Sequence, residues 1–130
     1  MLVNDYYHGI QWLELGAQQM ACLPLAACDP DFHRPYDLTP DERTALSCDV
    51  AFVGTLLPDS LYGTRVRALE ALSGFDLGIW SVHDVPASLR PHLRGLALGE
   101  TMLRVLSTAK ITINPHGNFM RYGGNMRLFE

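Results

Sequence analysis

The chain has 130 residues, 48% of them hydrophobic and 18% charged, with a formal net charge of −4. That length suits one domain of ordinary size, and that composition supplies a core, which excludes wholesale disorder. No apolar run reaches the ~18 residues of a bilayer span, the N-terminus lacks the basic-then-apolar pattern of a secretory leader, and the acidic balance argues against a nucleic-acid partner.

In chain order, residues 4–18 place Tyr6, Tyr7, Ile10, Leu13 and Ala17 at helical spacing, with Asn4 or Asp5 as the cap. Residues 20–27, MACLPLAA, read as an edge strand or extended segment because Pro24 interrupts the run. A polar connection covers 29–48, and Thr39-Pro40-Asp41-Glu42 inside it predicts the start of a short helix. Residues 49–53, DVAFV, predict the first strong strand, running into Gly54-Thr55. A loop, LLPDSLYG, leads to a helix over 64–73 with Val66, Leu69 and Leu72 on one face and Gly74 as its C′ stop. Leu77 to Trp80 predict a second strand, residues 81–95 a loop rich in Pro and His, Glu100 to Thr108 a second helix, and 111–114 a third strand. The last stretch is a polar loop carrying Asn114, His116, Asn118, Arg121 and Gly123-Gly124, then a helix start with Asn125 as N-cap.

Alternating strands and helices predict an α/β fold, a three-layer Rossmann-like parallel sheet with helices on both faces. Ligands bind such sheets at the carboxyl ends of the strands, where the loops 54–63, 81–86, 94–98 and 115–124 would gather. A glycine-rich loop between a strand and a helix start makes an anion site, to which Arg121 and Arg127 add charge. There is no GxGxxG after the first strand, so the NAD(P) fingerprint is missing. Cys22, Cys28 and Cys48 form no CxxC pair and read as thiols of a reducing, hence cytoplasmic, compartment, with no metal site expected. Charge is uneven: four basic and twelve acidic residues up to Leu89, six basic and two acidic from Arg90 onward. Either this is an ordinary soluble surface, or the C-terminal third faces an anion.

The ordered strings DVAFVGT, RVRALEAL, LGIWS, RGLALGETMLRVLSTAKITINPHG and GGNMRLFE resemble the C-terminal donor domain of GT-B glycosyltransferases, nearest to their spore-maturation-protein (CgeB-like) branch. The resemblance covers about Leu23 to Glu130 and implies transfer of a sugar from a nucleotide-diphosphate donor to an unknown acceptor, with no cofactor and no metal. It implies diphosphate contacts from Gly54, Thr55, Arg65, Asn125 and Arg127, base contacts from the backbone of Arg94, Gly95, Leu96 and Ala97, and ribose contacts from Glu130. Residues 1–22 would be an interdomain linker or the tail of a preceding domain, and 23–130 a partial donor domain. Such a truncated layer would have little transferase activity alone and would leave an open sheet edge suited to self-association.

Each candidate also has a plainer reading. Gly54 ends a strand; Arg65 lies on a helix surface; Glu100 sits in a first turn as a dipole partner. His116 is an acid/base candidate or a loop residue that positions backbone, and Phe119 or Tyr122 a cover for a base or sugar. Two other functions remain in view: a non-catalytic nucleotide- or sugar-phosphate-binding module, and a flavodoxin-like interaction domain.

Overall fold

The computed structural model describes residues 1–3, 6–23 and 29–118. The first of two sheets is small: β1 (Leu2–Val3) pairs in parallel with β2 (Ala21–Cys22), with α1 (Tyr6–Glu14) between them. Residues 1–22 are thus a strand–helix–strand unit, and the strand near Leu23 pairs with β1 rather than extending the main sheet.

The main sheet follows α2 (Pro40–Leu46), which starts as its residues dictate. The Thr39 hydroxyl accepts from the Glu42 N–H at 3.3 Å, and the Glu42 carboxylate accepts from the Thr39 N–H at 2.9 Å, with Pro40 inside the first turn. Then come β3 (Val50–Val53), α3 (Asp59–Glu70), β4 (Leu77–Trp80), a 3₁₀ helix (Ala87–His92), β5 (Leu93–Gly95), α4 (Glu100–Thr108) and β6 (Ile111–Thr112). All pairings are parallel and the order across the sheet is β5-β4-β3-β6. Register runs from Val50↔Leu77 to Val53↔Trp80 on one side of β3 and from Val50↔Ile111 on the other.

β3 and β4 are apolar throughout because both of their faces are covered. Val50, Phe52, Leu77 and Ile79 pack with Val66 and Leu69 of α3 and with Leu56, Val85 and Leu89. On the opposite face Ala51, Trp80 and Cys48 pack with Met102, Leu103 and Val105 of α4 and with Ala97. The result is the three-layer, Rossmann-like α/β architecture that the sequence predicts. Gly78 is part of it: a Cβ there would lie 2.6 Å from the Trp80 ring and 3.0 Å from the Cys48 sulfur.

Four boundaries differ from the sequence reading. α3 begins at Asp59, because Pro58 supplies an extended N-cap and the helix absorbs Gly63. It ends through an αR residue, Ala71, and tight turns, so Gly74 does not act as a left-handed stop. Residues 87–95, expected as loop, carry the 3₁₀ helix and β5; their polar, Pro-containing sequence hides a strand only three residues long. The third strand stops at Thr112.

Candidate functional site: the carboxyl lip of the sheet

In a parallel sheet with this order the direction of winding reverses between β3 and β6, and the crevice at that switch is the general ligand site of open α/β sheets. The loops leaving β3 and β6 meet there. The sequence reaches this geometry through Arg65, in the second turn of α3. Its Nε donates to the Pro115 carbonyl at 2.6 Å and one terminal nitrogen donates to the Thr55 carbonyl at 3.0 Å. The guanidinium lies 4.7 Å from the Tyr62 ring centroid and 5.9 Å from that of Phe52. Tyr62 and Arg65 share a helix face by their three-residue spacing.

Gly54 continues the β3 ladder, donating its N–H to the Trp80 carbonyl at 2.9 Å. A Cβ at Gly54 would sit 3.0 Å from the Phe52 ring, so the glycine lets that ring lie flat beneath the lip as well as keeping the loop backbone bare. His116 stands beside Pro115 with its Nδ1 buried and, among the described residues, without a hydrogen-bond partner. A buried ring nitrogen left unsatisfied is costly.

Asn118 was visible in the sequence only as a polar loop residue, yet it fastens the β6 loop. Its N–H donates to the Leu61 carbonyl at 2.7 Å, its Nδ2 to the Ser60 carbonyl at 3.2 Å, and its Oδ1 accepts from the Thr64 N–H at 3.2 Å. Ser60 and Thr64 are the two ends of one rung of the helical ladder, so the Asn118 amide docks directly on the α3 backbone.

Two helices start at this lip, α3 after the β3 loop and α4 after the β5 loop. Neither has a side-chain cap: the N-caps are Pro58 and Gly99, the latter at φ +55°, whereas α2 carries a full capping box. Their first-turn N–H groups and positive dipole ends therefore face the lip without a competing side-chain acceptor at the N-cap.

The structure thus brings Gly54, Thr55, Arg65 and His116 together. The second predicted group, Arg94 to Ala97, runs from β5 into the loop that follows it. Gly95, at φ +125°, accepts from the Ser81 N–H at 2.9 Å at the β5 end of the lip, and Ala97 is buried in the core while Leu96 is exposed. Arg94 reaches the other way, donating to the Ser47 carbonyl at 2.6 Å and pairing with Asp76 at 2.5 Å, at the amino ends of β3 and β4. Asn125, Arg127 and Glu130 lie outside the described residues, as do Arg121, Phe119, Tyr122, Cys28 and the helix start expected at Asn125.

The charge asymmetry has an intramolecular explanation. Of the six basic residues from Arg90 onward, Arg90, Arg94, Arg104 and Lys110 pair with Asp84, Asp76, Glu42 with Glu100, and Asp49. The anion these four face is the chain's own acidic part. The Asp49 carboxyl is held below its ordinary value by its hydrogen bond from Lys110, whose own value is raised by the same bond. Backbone and side-chain bonds from Thr39 lower Glu42, with Arg104 adding to the effect. Burial pushes the Cys48 thiol up. Among the described residues no cluster of three His, Cys, Asp or Glu could hold a metal ion, and no helix is long and apolar enough to cross a membrane.

The chain matches no protein-family model, no curated protein and no solved structure.

Proposed function

We propose that this Rossmann-like layer binds the diphosphate of a nucleotide sugar at its carboxyl lip, as the donor-binding part of a GT-B-type glycosyltransferase. The observation that carries the reading is the convergence of Gly54-Thr55, Arg65 and Pro115-His116 at the switch between β3 and β6. The strand order supports it further. In a flavodoxin-like sheet the first strand would sit between the second and the third; here β3 sits between β4 and β6, the order of a dinucleotide-binding half.

The residues take distinct parts in this reading. Thr55 and the uncapped starts of α3 and α4 offer N–H donors to phosphate oxygens. Arg65 is a positioning residue: it locks the β3 loop to the β6 loop and adds positive potential at their junction. As the glycosidic bond breaks, charge accumulates on the leaving diphosphate, and fixed dipoles already pointing at it lower the barrier without reorganising. In this reading His116, whose Nδ1 has no partner among the described residues, supplies a proton or a hydrogen bond to donor or acceptor. Asn125 and Arg127 complete the phosphate contacts in this proposal, Glu130 accepts from ribose hydroxyls, and the backbone of Arg94 to Ala97 holds the base.

Calorimetric titration of the chain with UDP, GDP and ADP is the test. Saturable binding of one of them, at least about tenfold tighter than its nucleoside, is the expected result. Absence of binding by all three contradicts the proposal.

A further inference from the structure

A cavity of about 280 Å³ opens between the segment before α2 and the outer side of α4, lined by His33, Arg34, Pro35, Leu103, Leu106 and Ser107. None of these belongs to the carboxyl lip. We propose that this cavity binds a small organic carboxylate with an apolar body.

The chemistry of the lining argues for that ligand. Pro35, Leu103 and Leu106 make an apolar wall, and among the described residues no carboxylate lines the cavity. The charged group offered is the Arg34 guanidinium, a donor. Arg34 uses Nε on the Asp31 carbonyl at 3.1 Å and stacks 4.9 Å from the Tyr36 ring centroid, which holds the guanidinium in place and leaves its terminal nitrogens available. The His33 Nδ1 lies 2.9 Å from the Asp29 nitrogen and 3.1 Å from the Asp29 carbonyl oxygen, so the ring is anchored to the Asp29 backbone through that atom. Ser107 is already committed: it accepts from the Tyr36 N–H at 3.1 Å and donates to the Leu103 carbonyl at 2.7 Å. The first of these bonds, together with Arg104 lying 5.3 Å from the Tyr36 ring centroid, fixes the segment against α4, so the cavity is built before any ligand arrives.

Other ligands fit worse. A phosphate ion would leave the leucine wall uncovered, and a neutral apolar molecule would desolvate the Arg34 charge without compensation. The volume lies just under the range of pockets for drug-sized molecules, which limits the body to something near a phenyl ring or a short chain.

The test is a two-dimensional amide NMR titration of the full chain with phenylacetate, phenylacetamide and inorganic phosphate. The proposal expects saturable shifts at Arg34, Leu103, Leu106 and Ser107 with phenylacetate, and binding about tenfold or more weaker for the amide. Arg34→Gln, at an exposed position, should lose the same factor with an unchanged circular dichroism spectrum, and Leu106→Trp should abolish binding by filling the space. No shift with phenylacetate, equal binding of the amide, unchanged affinity in Arg34→Gln, or binding of phosphate alone would each overturn it. Should Leu106→Trp fail to fold, the Arg34→Gln result decides.

Discussion

The two edges of the main sheet are held together by different means. At the amino edge, neighbouring strands are pinned by opposite charges: Asp49 before β3 pairs with Lys110 before β6, and Asp76 before β4 pairs with Arg94 of β5. At the carboxyl edge, the loops after β3 and β6 are joined by Arg65 reaching two neutral carbonyls and by Asn118 docked on the α3 backbone, and two helices start there without side-chain caps. The amino edge neutralises its charges within the chain. The carboxyl edge keeps donors and dipoles facing outward. If the proposed function holds, the same sheet separates register-keeping from binding, and substitutions at the two edges should have different readouts.

The largest expected effect is on ligand binding at the carboxyl edge. Gly54→Val places a branched side chain against the Phe52 ring and over the loop backbone. It should weaken nucleoside-diphosphate binding by about 100-fold or more in calorimetry, the equivalent of losing roughly two charge-assisted hydrogen bonds. Lys110→Gln, at the amino edge, should leave that affinity unchanged.

Next comes stability. Leu69→Ala removes a side chain with 0% exposure beneath the β3–β4 face and should cost about 2–5 kcal/mol in urea unfolding. Asn118→Ala removes the two side-chain hydrogen bonds to the Ser60 carbonyl and the Thr64 N–H while keeping the backbone bond to Leu61, at about 0.5–1.5 kcal/mol. Equal loss of stability from Lys110→Gln and Asn118→Ala would break the distinction between the edges, because exposed ion pairs contribute little.

Smaller still is the acid dependence. Hydrogen bonds made only in the fold hold the Asp49, Glu42 and Asp84 carboxyls below their ordinary values, from Lys110, Thr39 and the Val85 N–H respectively. A lowered folded value means the contribution is full above the unfolded carboxyl value of about 4 and is lost as pH falls through the folded values. Thermal melts of wild type against Asp49→Asn should therefore converge below about pH 4 and separate above it. Last, the Cys48 thiol, buried and with its ionisation raised, should resist thiol reagents in the native protein and react on unfolding, as mass spectrometry of alkylated peptides can read.

Much of this architecture is legible in the residues. Strands such as VAFV and LGIW announce themselves because both faces are buried, and Thr39-Pro40-Asp41-Glu42 carries its own start signal. β4 and α4 lie where the sequence puts them. What is hidden depends on partners remote in sequence. β5 is three exposed residues that become a strand only because β4 offers an edge. Asn118 looks like any loop asparagine until α3 is beside it. Arg65, read from the sequence as a diphosphate ligand, is bonded to the Thr55 and Pro115 backbone carbonyls, and Arg94 lies on β5 with its side chain pointing to the opposite edge. The charge asymmetry resolves into internal pairs once the strand order is known.

The central claim is that the carboxyl lip grips a pyrophosphate, and amide chemical-shift mapping with a nucleoside diphosphate tests it most directly. The account predicts saturable shifts at Gly54, Thr55, Glu100 and His116, with Ser47, Asp76 and Lys110 undisturbed. Shifts centred on the amino-edge residues, or no saturable shift at all, would contradict it.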